Sequence, residues 1–155
     1  MKTYDRLFGS GPRGAFLGAV LFIPVYLGED IVALPEITGN DTIRYTFFAL
    51  LSLISFLVII WSLKSLPPKE RGMTLVTSGA FEYFRHPLYG AFVYFFNFGF
   101  AVLMNNWIYM IWALGMISVW HWNIRREEEL MRKEFGQEYI DYCARTGRFF
   151  VKINK

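Results

Sequence analysis

"LYGAFVYFFNFGFAVLM", Leu88–Met104, is followed by Asn105-Asn106 and then by "WIYMIWALGMISVWHW", Trp107–Trp122. Two apolar blocks split by two asparagines decide the fold class. Each is near the roughly 20 residues with which a helix crosses about 30 Å of hydrocarbon. A break this short makes the two helices antiparallel neighbours. Trp107, Tyr109 and Trp112 fall toward the outer end of this hairpin, and Trp120 and Trp122 at its inner end. They resemble the aromatic belts of membrane–water interfaces.

Two more apolar blocks lie upstream, "AFLGAVLFIPVYLGEDIVAL" at about residues 15–34 and "YTFFALLSLISFLVIIWSL" at about residues 45–63. The second is the cleaner; in the first, Pro24 predicts a kink and Glu29-Asp30 an early end. Across 155 residues, 54% are hydrophobic and 19% aromatic, with a mean hydropathy of +0.29. A soluble domain carries more charge and fewer aromatics. The sequence therefore predicts an all-α, polytopic membrane protein. It is a single domain, residues 1–155, with about four transmembrane helices (about 15–34, 45–63, 87–104 and 107–123).

The charges orient it. Of 16 Lys and Arg, three precede the first block, four lie between the second and third, and eight follow the fourth. Only Arg44 falls on the other side, where the first loop is acidic with Glu29, Asp30, Glu36 and Asp41. The positive-inside rule puts both termini and the loop at 64–86 in the cytoplasm. Basic residues that track the membrane boundary speak for anionic headgroups and against nucleic acid. The one cysteine, Cys143, excludes an internal disulfide or a cysteine-based metal site, and it has no activator nearby in sequence. No cleavable signal peptide is expected, because no small-residue cleavage site follows the first block.

After Trp122 the chain turns charged but keeps helical spacing. Ile124, Met131, Phe135, Tyr139 and Tyr142 fall close to one face, with Glu128 on that face as well. Residues 124–155 are thus read as a cytoplasmic amphipathic helix and tail, bent near Gly136 and either lying on the membrane or folded back on the bundle. "GSGPRG", Gly9–Gly14, has no strand before it and is not a phosphate-binding loop.

Chemistry concentrates in two places. In "EYFRHPLYGA", Glu82–Ala91, His86 precedes a proline and so caps the third helix, with Pro87 in its first turn. The free N–H groups there suit an anion, and Arg85, His86 and Tyr89 add donors to the same spot. These residues also suit plain topology and anchoring roles. In "REEELMRKEFG", Glu127 and Glu128 begin the C-terminal helix, where the helix dipole favours them. They also offer acceptors for an amino group or for hydroxyls. The hairpin brings the start of its first helix and the end of its second together, so both constellations can face one pocket. Asn97, mid-membrane, reads first as an interhelical hydrogen-bonding group, and His121 is a lesser candidate for the pocket.

These residues, in this order, resemble the isoprenylcysteine carboxyl methyltransferase family and its phospholipid N-methyltransferase relatives. The likeness runs over "LVTSGAFEYFRHPLYGA", Leu75–Ala91, and "EEELMRKEFGQEYIDYCARTGRFF", Glu127–Phe150. The chain departs from the pattern in three places. Gly90 follows Tyr89 directly, Met131 stands for a leucine, and Val151 stands where a proline usually follows. The resemblance implies an integral membrane methyltransferase with S-adenosylmethionine as its cofactor and no metal. His86, Tyr89, Glu127 and Glu128 would line the cofactor site, and Arg85 or Glu127 would orient the acceptor or take its proton. The acceptor would be a lipid or small lipophilic molecule presenting a carboxylate, amine or thiol. Two alternatives stay open, a membrane NADPH-dependent reductase of the sterol reductase type and a non-catalytic membrane adaptor or lipid-binding protein.

Overall fold

The computed structural model describes residues 9–67 and 73–152. Lys2, Arg6, Lys69, Arg71 and Lys155, which entered the charge reading, lie outside the described residues. Within them the regular elements are helical: α1 (Gly11–Val32), α2 (Asp41–Ser65), the single turn α3 (Ala80–Tyr83), α4 (Pro87–Met104), α5 (Trp107–Asn123) and α6 (Arg125–Arg145). Among the described residues, three helices are long and apolar enough to cross a membrane: α1, α2 and α4. The fourth expected span, α5, has 17 residues. At 1.5 Å per residue it is about 25 Å long, short of about 30 Å of hydrocarbon.

The Asn105-Asn106 turn works through both residues. Asn105 takes the left-handed conformation that ends α4, with φ 57°. Asn106 caps α5, its side chain accepting from the Ile108 N–H at 2.9 Å. Both also clamp the α1–α2 loop: the Thr38 N–H donates to Asn105 Oδ1 at 3.0 Å, and Asn106 Nδ2 donates to the Leu34 carbonyl at 3.2 Å.

The hairpin α4–α5 is the centre, with α2 packed on α4 and α1 on α5. Small residues set both outer packings. Gly99 lies against Leu51 and Phe48 of α2, and Gly14 against the Trp120 ring. Residues 91–96 of α4 are a π-helical segment, and the Ala91 carbonyl accepts a buried hydrogen bond from Ser55 Oγ of α2 at 3.1 Å. Asn97 follows it, 1% exposed, and both its side-chain polar atoms lack a partner. The interhelical hydrogen bond expected of it is therefore not formed.

Helix α1 begins at Gly11 and continues through Glu29-Asp30 to Val32, with Pro24 inside it. The expected early end at the two acids does not occur, because the Tyr109 hydroxyl donates to Glu29 Oε2 at 2.6 Å and keeps that acid satisfied in the helix. Ile124, just before α6, and Glu128, Tyr139 and Tyr142 on it are buried, and Gly136 interrupts the helix with φ 52°. The helix docks on the 80–86 segment, where the Tyr142 hydroxyl donates to the Phe81 carbonyl at 2.6 Å.

Candidate active site

His86 caps α4 and Pro87 opens its first turn. Residues 84–86 are extended enough to pair in parallel with the chain after α6. Phe84 bridges Gly147, the Arg85 N–H donates to the Gly147 carbonyl at 2.8 Å, and the His86 N–H to the Arg148 carbonyl at 3.0 Å. This pairing brings Arg85, His86 and Arg148 to the start of α6, where Glu127 and Glu128 stand. All five residues singled out from the sequence (Arg85, His86, Tyr89, Glu127 and Glu128) converge here.

The two glutamates meet different surroundings. Glu128 is enclosed, its side chain 6% exposed. Arg85 Nε donates to its Oε1 at 3.2 Å, as does Arg148 Nε, and Arg148 Nη2 reaches Oε2 at 2.5 Å. His86 Nε2 stands 3.4 Å from Oε1. Burial pushes the Glu128 carboxyl upward, but His86, Arg148 and Arg85 outweigh it through hydrogen bonds and charge, and hold it well below the usual carboxylate range. The anion suited to the start of α4 is thus supplied by the protein itself. The Arg85 guanidinium is fully engaged, since it also donates to the Cys143 and Thr146 carbonyls.

Glu127 is looser, its side chain 25% exposed. Its Oε2 accepts from the Tyr89 hydroxyl at 3.2 Å and from the Ser10 N–H at 2.7 Å, while Oε1 has His86 Nδ1 at 3.8 Å. Aromatic rings floor the site: Tyr89 stacks on His86 at 5.8 Å and meets Trp120 at 5.0 Å. Trp120 Nε1 and Asn123 Oδ1 are buried without hydrogen-bond partners.

His121 joins the site from α5. Its Nδ1 lies 3.2 Å from Arg148 Nη1, and its Nε2 lies 3.2 Å from the Tyr94 hydroxyl. A guanidinium only donates, so Nδ1 accepts and Nε2 carries the proton toward Tyr94. Reading the sequence left Arg148 and Ser10 without roles. Arg148 had a signal in the "RTGRFF" stretch, but Ser10 acts through its main chain, which no side-chain motif reports. An open cavity of about 520 Å³, lined by Thr77, Ser78, Glu82, Arg145 and Thr146, shares Thr146 with the cluster.

A family model described as phospholipid methyltransferase matches residues 43–138. Among curated proteins, the chain is similar to a Protein-S-isoprenylcysteine O-methyltransferase of Xenopus laevis, 33% identical over 87 residues, covering 54% of this chain and 30% of that protein. It is similar to the Homo sapiens protein of the same name at 37% identity over 82 residues, 51% of this chain and 28% of that one. Protein-S-isoprenylcysteine O-methyltransferase B of Arabidopsis thaliana is 32% identical over 81 residues, covering 50% and 40%. The chain thus spans less than half the length of these relatives.

Proposed function

Because the chain belongs to the phospholipid methyltransferase family, we propose that it is an S-adenosylmethionine-dependent methyltransferase. Its acceptor is a membrane-soluble or lipid-like molecule met at the cytoplasmic membrane interface. The observation that carries this reading is the meeting of His86, Tyr89 and Glu127 at one end of the α4–α5 hairpin, inside the matched segment. Here α5, whose 17 residues stand at the lower end of the lengths that cross a bilayer, serves as the fourth span, and the basic loop and tail keep both termini in the cytoplasm.

The residues fit the cofactor. Glu127 is a partly exposed carboxylate with no arginine or lysine on it among the described residues, which suits the cofactor's ammonium. Asn123 Oδ1 and Trp120 Nε1 are an acceptor and a donor left over for a ligand. The rings of Tyr89, His86 and Trp120 offer apolar faces. S-adenosylmethionine, when bound, supplies a methyl group already activated on a sulfonium. The protein's part is to bind and orient, and to exclude water. Glu127 takes the cationic end, and Tyr89 and His86, which face it, line the site beside it. Glu128 and Arg85 act as positioning residues, since their polar atoms are engaged with each other and with Arg148. With an amine acceptor a proton is released to water at the interface; with a carboxylate acceptor no proton moves. The names of the relatives make an isoprenylated cysteine the first acceptor to try.

The test is S-adenosylhomocysteine binding to the purified protein in nanodiscs, measured calorimetrically beside His86→Ala and Glu127→Gln. Binding that both changes weaken by about tenfold or more supports the reading, since a hydrogen bond to a charged group carries about 1.5–3 kcal/mol. A folded protein that binds nothing would remove it.

A further inference from the structure

The family match begins at residue 43, yet Ser10, outside it, contacts both Glu127 and Tyr89 directly. The Ser10 N–H is shared between Glu127 Oε2 at 2.7 Å and the Tyr89 hydroxyl at 3.1 Å. The Ser10 carbonyl accepts from Asn123 Nδ2 at 2.9 Å, and Ser10 Oγ donates to the Asn123 carbonyl at 3.3 Å. Gly9 has φ +53°, and a Cβ there would stand 2.7 Å from the Tyr89 hydroxyl and 2.8 Å from Glu127 Oε2. The main chain therefore lies directly on the two groups and leaves no room for even one methyl. An N–H at this distance from a carboxylate oxygen is also the contact a ligand ammonium would make.

We propose that Gly9–Gly11 is a strap over the cofactor site, its Ser10 N–H occupying the position of the ligand's cationic donor, so that cofactor binding and strap attachment at Glu127 exclude each other. The inference rests on the methyltransferase reading above. Two further features support it. Asn123, which grips the Ser10 carbonyl, is 1% exposed and keeps its Oδ1 without a partner, an acceptor in reserve for a ligand. The strap is also held lightly. Glycines flank Ser10, and among the described residues release costs only the hydrogen bonds of Ser10, through its main chain and its hydroxyl, which water replaces.

Two variants loosen the strap by different means. Ser10→Pro removes the N–H at a φ of −85°, close to the range proline itself prefers. Gly9→Ala forces a Cβ against Tyr89 and Glu127. Both are expected to bind S-adenosylhomocysteine about tenfold more tightly than the wild type, the equivalent of one charge-assisted hydrogen bond released. In the wild type, saturating S-adenosylhomocysteine should speed amide exchange at Ser10. Unchanged or weaker binding in both variants, or slowed exchange at Ser10, would overturn the strap and leave the methyltransferase reading standing. A folded wild type and folded variants that all fail to bind would sink both.

Discussion

Glu127 and Glu128 are neighbours in sequence at the start of one helix, yet they sit in two regions of opposite character. Glu128 is locked among Arg85, Arg148 and His86, with its side chain 6% exposed. Among the described residues, Glu127 faces a tyrosine and one main-chain N–H, with its side chain 25% exposed. Adjacent helical positions point about 100° apart, so one carboxylate turns into the junction of α6 with residues 84–86 and the other toward α1 and α4. A pair of like groups in unlike environments divides the work. The enclosed one fixes the geometry, and the looser one is free to exchange partners.

The sharpest way to break that division is Glu128→Ala. Removing one partner from a buried ion cluster leaves two guanidinium groups uncompensated and costs about 3–5 kcal/mol. Thermal unfolding in detergent should show a large drop in midpoint or loss of folded protein. Glu127→Ala should move the midpoint far less. Equal losses from the two changes would erase the distinction.

Acid should strike the same region first. The folded-state pKa of Glu128 lies below its unfolded value, so its contribution is complete above the unfolded value and shrinks as pH falls through the folded one. Stability should therefore decline as pH drops below about 4.5, and the Glu128→Ala variant should lack this component of the decline. A wild-type unfolding midpoint that stays flat from neutral pH to about pH 3 would contradict the cation lock.

How much of this was legible in the sequence follows the same divide. The hairpin was, with its bounds at Pro87–Met104 and Trp107–Asn123, because hydropathy, Pro87 and Asn105-Asn106 mark them in the chain itself. So was the convergence of His86, Tyr89, Glu127 and Glu128, because a two-residue turn forces the helix ends together. The roles of Arg148 and Ser10 were not. Arg148 arrives through parallel pairing of residues 84–86 with 147–148, a contact between segments about 60 residues apart that no local pattern announces. The π-helical stretch at 91–96 was equally hidden, since its apolar residues read the same at either helical pitch.

On the looser side, Glu127→Gln should keep the fold and lose function. Its hydrogen bonds from Tyr89 and the Ser10 N–H can still be accepted by an amide oxygen. The charge for a cationic ligand is gone. The expected outcome is an unfolding midpoint within a few degrees of wild type and S-adenosylhomocysteine binding weakened about tenfold or more. A variant that unfolds like Glu128→Ala would make Glu127 a structural residue.

The smallest effect on stability should come from Tyr89→Phe, and its size follows from what the hydroxyl leaves behind. The ring remains, with its stacking on His86 and its contact with Trp120. The Ser10 N–H keeps Glu127 Oε2 at 2.7 Å, and that oxygen keeps Ser10 as its donor, so no group is stranded. Only one hydrogen bond of 3.2 Å is lost, worth about 0.5–1.5 kcal/mol. Removal of Arg148 is the corresponding change on the locked side. It takes away the donor at Glu128 Oε2 and the partner of His121 Nδ1 together, and Arg148→Leu should cost at least twice as much. Unfolding curves for the two variants, run side by side, compare one hydroxyl with one guanidinium across adjacent carboxylates. If Tyr89→Phe proved the more damaging, Glu127 would hold the structure more tightly than Glu128, and the assignment of the two residues would have to be exchanged.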